Sequence, residues 1–102
     1  MEDLRTTLDT ASALVGRGES AFISDPALPL AFEALSNRIG ELCKRLMAAD
    51  PDRFSEPIWS QAARNRDFVV HHYDRLDTRA LWVTVTVSFP ALGRALDEVA
   101  GR

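Results

Sequence analysis

An arginine, an aspartate, a histidine and the chain's single tyrosine fall within eight positions, as Arg66, Asp67, His71 and Tyr73 in the run RNRDFVVHHYD at residues 64–74. Each type brings its own chemistry. An imidazole takes up and releases a proton near neutral pH. A guanidinium offers a planar fork of donors that matches a phosphate. A phenol carries a hydroxyl that can itself be modified. The residue types are compatible with three readings: a solvated helix face, a metal site, or a centre that cleaves RNA.

On a continuous helix successive residues turn by about 100°, so Arg66 and Tyr73, seven apart, share one face about 10 Å apart along the axis. His71 is five residues from Arg66, about 140° round with about 7.5 Å of rise. One helix does not readily close both side chains on one phosphate, whereas a second copy across a two-fold axis would complete a composite groove. Asp67 stands four residues before His71, where a carboxylate favours the imidazolium and fixes its tautomer. It is the candidate supporting residue.

The solvated reading rests on Arg64, Arg66, Arg75 and Arg79 alternating with Asp67, Asp74 and Asp77, which nearly balances the charge. The metal reading would use His71, His72 and Asp67. Adjacent histidines point about 100° apart, and Asp67 with His71 gives two ligands where zinc takes three or four. No metal and no cofactor is expected. His72 has only Arg75 and Leu76 at helical spacing, which suits an exposed ring.

The elements that must position these groups are read from hydrophobic spacing. Leu4, Leu8, Ala11 and Val15 mark one face of a first helix, which Gly16 and Gly18 stop. The stretch GESAFISDPALP carries turn residues and a lone Phe22 expected to tuck under the bundle. Asp25 followed by Pro26 reads as an N-cap with proline in the first turn. From there Leu28, Phe32, Leu35, Ile39, Leu42 and Leu46 step regularly to about Ala48, and ADPD ends the helix. Pro57 opens a third helix bearing Trp59, Ala62, Ala63, Phe68, Val69, Val70 and the motif, and Asp77 or Thr78 is placed to cap a fourth.

The segment ALWVTVTVSFP is ambiguous, because Val83, Val85, Val87 and Phe89 alternate with polar residues as a strand would. A lone strand would leave its backbone groups unpaired. Leu81, Val85, Leu92, Leu96 and Val99 also give helical steps, so helix is expected, with a kink or break at Pro90. The fold class is all-α, an antiparallel bundle of four or five helices in one domain, residues 1–102. Trp59 and Trp82 sit beside apolar stripes and read as core anchors rather than base-stacking platforms.

With 102 residues and 46% hydrophobic content, the chain suits one core. A domain of this size buries only about 60–65% of its unfolded surface, so a leftover apolar stripe would favour self-association. A net charge of −3 and a pI near 5.3 argue against nucleic-acid binding through the overall field, so any RNA contact must be local. Cys43 is alone and reads as inert packing in a reduced setting. The N-terminal run MEDLRTTLDTASALVG lacks the pattern of a signal peptide, and no stretch of ~18 apolar residues would span a membrane. A cytoplasmic protein is expected.

The spacing Arg66, four residues, His71, one residue, Tyr73 resembles the signature of HEPN-domain proteins of the HepT type, the toxins of bacterial and archaeal toxin–antitoxin pairs. IGELCKRL at 39–46 looks like that family's second core helix segment. EPIW at 56–59 is similar too, as are Asp77, Trp82 and FPAL at 89–92, so the resemblance covers nearly the whole chain. It implies an all-helical, homodimeric, metal-independent ribonuclease whose paired motifs line a cleft, with His71 as general acid or base and Arg66 holding the phosphate. It also implies a partner, a minimal nucleotidyltransferase antitoxin of the MntA kind, which silences the toxin by adding AMP to Tyr73. The chain departs from the family at Asp67, usually asparagine, at Arg64, usually a small residue, and at Ile58, commonly proline. An alternative is a non-catalytic helical module that binds a nucleotidyltransferase or a nucleotide.

Overall fold

A computed structural model describes the backbone of residues 1–71 and 78–101 and the side chains of residues 1–64 and 79–101. Among these the chain is all-α, with no strand. The helices are α1 (Glu2–Val15), α2 (Glu19–Ser24), α3 (Ala27–Ala49), α4 (Pro57–His71), α5 (Thr78–Val83) and α6 (Phe89–Ala100). A π-helical turn, Thr84–Ser88, joins α5 to α6 in one rod, which leaves five helical bodies.

The long α3 is the spine. Its 23 residues rise about 35 Å, close to the molecule's longest dimension of 41 Å. The expected stripe is buried at Leu28, Phe32, Ile39 and Leu42, with Cys43 beside it, while Leu35 and Leu46 are half-buried. Against it pack Leu4, Leu8 and Ala11 of α1 and Trp59 and Ala63 of α4. Phe89, Leu92, Leu96 and Val99 of α6 close the core. Fully burying each such apolar side chain contributes roughly 1.5–3 kcal/mol, and no other interaction in the fold approaches their sum. Ion pairs add little by comparison: the exposed Arg5–Asp97 pair joins α1 to α6, and such pairs are worth about 0–1 kcal/mol.

Local signals set the helix ends. Gly18 precedes α2 at φ 90°, a backbone conformation that side-chain-bearing residues rarely adopt. The Ala27 N–H donates to Asp25 Oδ1 at 3.0 Å, so the expected cap forms, with Pro26 helical just ahead of α3. In the loop after α3, Asp50 Oδ1 accepts from the Arg53 N–H at 3.2 Å. Arg53 Nη2 in turn donates to the Val99 carbonyl at 3.2 Å, satisfying a carbonyl at the end of α6. The cap assigned to Asp77 or Thr78 lies outside the residues described in full.

Two features differ from the sequence reading. The turn-rich stretch after Gly18 folds into α2, because Phe22 is buried against Phe32 and Trp82, with ring centroids 5.7 and 4.9 Å away. And at Pro90, where a kink or break is expected, the helix runs on through a widened turn. Pro90 has no N–H to offer the Thr86 carbonyl, and the ladder widens ahead of it, so the Phe89 N–H reaches back five residues to Thr84. The Thr84 and Thr86 hydroxyls donate to the Ala80 and Trp82 carbonyls at 3.0 and 2.7 Å. That polar back-bonding holds a β-prone sequence in a helix. The strand-like alternation is resolved as one buried valine, Val85, between two outward ones, Val83 and Val87, which are 51% and 60% exposed.

Two predictions follow from the packing. A Cβ built at Gly93 meets nothing within 4 Å, so Gly93→Ala should stabilise the chain by about 0.5–1 kcal/mol through helix propensity, read as a higher denaturation midpoint. Burial in the core pushes the Cys43 thiol from 9.0 up to about 12. The folded state therefore keeps a proton that the unfolded chain releases. The stability this contributes is whole below about pH 9 and declines as pH rises toward 12, by at most about 1.4 kcal/mol per pH unit. Denaturation of wild type against Cys43→Ala should show that extra alkaline slope in the wild type alone.

Candidate active site on the fourth helix

The motif helix starts where Pro57 supplies a pre-set φ in the first turn, and the Pro57 carbonyl accepts from the Ser60 hydroxyl at 3.0 Å. It lies along α3 and also meets α6. Trp59 and Ala63 form its buried row. Ile58 and Ala62, one position earlier in each turn, are half-buried toward the last helix.

Arg66, Asp67 and His71 all lie within α4, on one uninterrupted helix. Arg66 stands seven residues beyond Trp59 and three beyond Ala63, so it holds the register that the apolar core occupies earlier in the same helix. His71 follows five residues on in the same helix, about 7.5 Å further along the axis. Asp67 is one turn before His71. The side chains of Arg66, Asp67 and His71, and the whole of Tyr73, fall outside the described residues, as does His72. Arg64 and Arg79, assigned to solvent, are both exposed. Among the described residues no three His, Cys, Asp or Glu side chains gather as a metal site.

Sequence reasoning passed over a groove on the flank of this helix. A cavity of about 190 Å³ lies between α3, α4 and the π turn with α6, lined by Ile58, Ala62, Val87, Ala91 and Leu92. Ser36 of α3 also lines it. That residue is only 3% exposed, and its hydroxyl has no hydrogen-bond partner among the described residues. The only signal in the sequence is a serine set four residues after Phe32 and three before Ile39, inside the most regular apolar stripe.

An all-helical domain with an arginine–histidine pair on one helix is the class defined by fold and motif together. Residues 4–99 match the family described as Ribonuclease HepT-like, and the chain belongs to that family. It is also 31% identical over 78 residues to a protein of Caldanaerobacter subterraneus subsp. tengcongensis named "Putative RNase TTE0752", covering 76% of this chain and 70% of that relative. No solved structure matches the chain at a significant level. Among the described residues no helix is long and apolar enough to cross a membrane.

Proposed function

We propose that this chain is the toxin of a cytoplasmic toxin–antitoxin pair, a single-domain, metal-independent endoribonuclease that acts as a homodimer. The observation that carries the reading is the family match along nearly the whole chain, together with Arg66 and His71 on one continuous helix at the family's spacing. A ribose 2′-hydroxyl attacks the adjacent phosphorus, and the P–O5′ bond breaks to leave a 2′,3′-cyclic phosphate and a 5′-hydroxyl. One proton leaves the 2′-oxygen and one is delivered to the 5′-oxygen. His71 serves these transfers as general base or acid. Arg66 binds the phosphate and stabilises the pentavalent anion. Asp67 orients His71, at the cost of negative charge near the phosphate.

The test is to express the chain alone and compare growth arrest and RNA integrity with those of Arg66→Ala and His71→Ala. Equal behaviour of all three would overturn the nuclease reading. Control by the antitoxin is assigned to Tyr73, whose hydroxyl attacks the α-phosphorus of ATP and releases pyrophosphate. The adduct sets charge and bulk beside Arg66 and competes with RNA. Intact mass after incubation with ATP and a nucleotidyltransferase antitoxin should show AMP additions that vanish in Tyr73→Phe. Additions that persist would place the modification elsewhere.

Asp67 in place of asparagine, and the acidic balance of the chain, favour a second reading, a non-catalytic module that binds a nucleotidyltransferase or a nucleotide. Binding of a nucleotidyltransferase or a nucleotide by a wild-type chain that leaves RNA intact would select it.

A further inference from the structure

We propose that the groove between α3, α4 and the π turn is a subsite for one nucleobase of the bound RNA. The proposal rests on the ribonuclease reading for the phosphate that it adjoins. Three observations converge on this occupant.

The first is size. About 190 Å³ falls below the roughly 300 Å³ at which sites for drug-sized ligands begin. It is the size of one flat heterocycle rather than of a drug-sized ligand. The second is chemistry. Ile58, Ala62, Val87, Ala91 and Leu92 present apolar surface suited to the face of a ring. Ser36 also lines the groove, and its buried hydroxyl has no hydrogen-bond partner among the described residues. A buried hydroxyl without a partner is costly, and it can turn to donate or accept. An aliphatic side chain from a second copy would fill the groove and leave Ser36 unsatisfied. A base brings ring nitrogens and exocyclic groups that satisfy it, and the exposed Gln61 amide on the rim can meet the base edge.

The third observation is placement. Ile58, Ala62 and Arg66 succeed one another at four-residue steps on α4, so the Arg66 backbone lies one turn, about 6 Å, beyond the groove. A phosphate held at Arg66 would then be that of the base's own or the neighbouring nucleotide. The π turn is part of the device, because it shapes the rod where Val87 and Ser88 form the opposite wall. Widened turns of this kind are frequent at functional sites.

The experiment records amide shifts of the labelled full chain titrated with the four nucleoside 5′-monophosphates and, as a base-free control, ribose 5-phosphate. At least one nucleotide should shift the amides of Ala62, Val87 and Ala91 while ribose 5-phosphate leaves them in place. Ala91→Leu, which fills the groove, should weaken that nucleotide about tenfold or more. Ser36→Ala should weaken it about three- to tenfold, the worth of one hydrogen bond, without lowering the melting temperature. Equal shifts from ribose 5-phosphate, or affinity unchanged in Ala91→Leu, would overturn the subsite. So would groove shifts that grow with protein concentration alone, which would give the groove to a second copy. RNA cleavage measured on the same proteins separates the two readings. A wild type that binds the nucleotide in the groove but cuts nothing retains the subsite and loses the ribonuclease. A wild type whose cutting and binding survive Ala91→Leu does the reverse.

Discussion

Alanine in place of His71 is expected to lower RNA cleavage by the purified chain by about 10²- to 10⁴-fold, the usual contribution of a positioned general acid or base. Arg66→Ala should cost about 10²- to 10³-fold, as removal of a group that stabilises developing charge does. Arg66→Lys should restore only part of this, because an ammonium keeps the charge and loses the two-point fork. None of these changes touches the Trp59–Ala63 row, so melting temperatures should stay near wild type and separate lost chemistry from lost folding.

The geometry of α4 makes a sharper version of this test available. Five residues on one helix leave Arg66 and His71 about 140° apart, which favours a site built from the arginine of one copy and the histidine of the other. Mixing Arg66→Ala and His71→Ala chains then generates heterodimers with one intact site and one doubly defective site. Activity should return to about half of wild type per heterodimer, although neither variant cuts alone. Silence of the mixed population, with heterodimers verified by mass, would mean that each chain assembles its own site.

What could be read from the sequence depended on whether the deciding interaction was local. The α3 stripe was legible because Leu28, Phe32, Ile39 and Leu42 repeat at helical spacing and all reach the core. The segment around Val85 was legible from two arguments together, the helical steps of Leu81, Val85, Leu92 and Leu96 and the lack of any partner for a lone strand. Helix α2 was not, because its six residues sit between the turn signals of Gly18 and Asp25–Pro26. What orders them is Phe22 against Phe32 and Trp82, ten and sixty residues away. Pro90 announced an interruption without saying whether the backbone would kink or widen its ladder. At the site, Arg66 and His71 stood out by type and spacing. Ser36 did not, because a serine in an amphipathic helix looks the same from sequence whether it meets water or lines a cavity.

Trp59→Ala is expected to be the most destabilising single change. Trp59 is 0% exposed and is the largest of the fully buried side chains. It meets Phe54 edge to face, with ring centroids 5.0 Å apart at 84°. Truncating a buried tryptophan costs about 3–5 kcal/mol, while a domain of this size has roughly 5–15 kcal/mol to lose. The melting temperature should fall on the order of 20 °C, and activity should fall with the folded fraction. Trp59→Phe is the informative companion. The buried indole N–H has no acceptor among the described residues, so tryptophan at this position already carries a penalty of about 1–3 kcal/mol that phenylalanine removes. That relief should offset much of the packing lost with the second ring, leaving Trp59→Phe within about 1–2 kcal/mol of wild type. A Phe variant as unstable as the Ala variant would mean that the N–H is satisfied in solution, and that the register handed from Trp59 to Arg66 is held by a hydrogen bond as well as by packing.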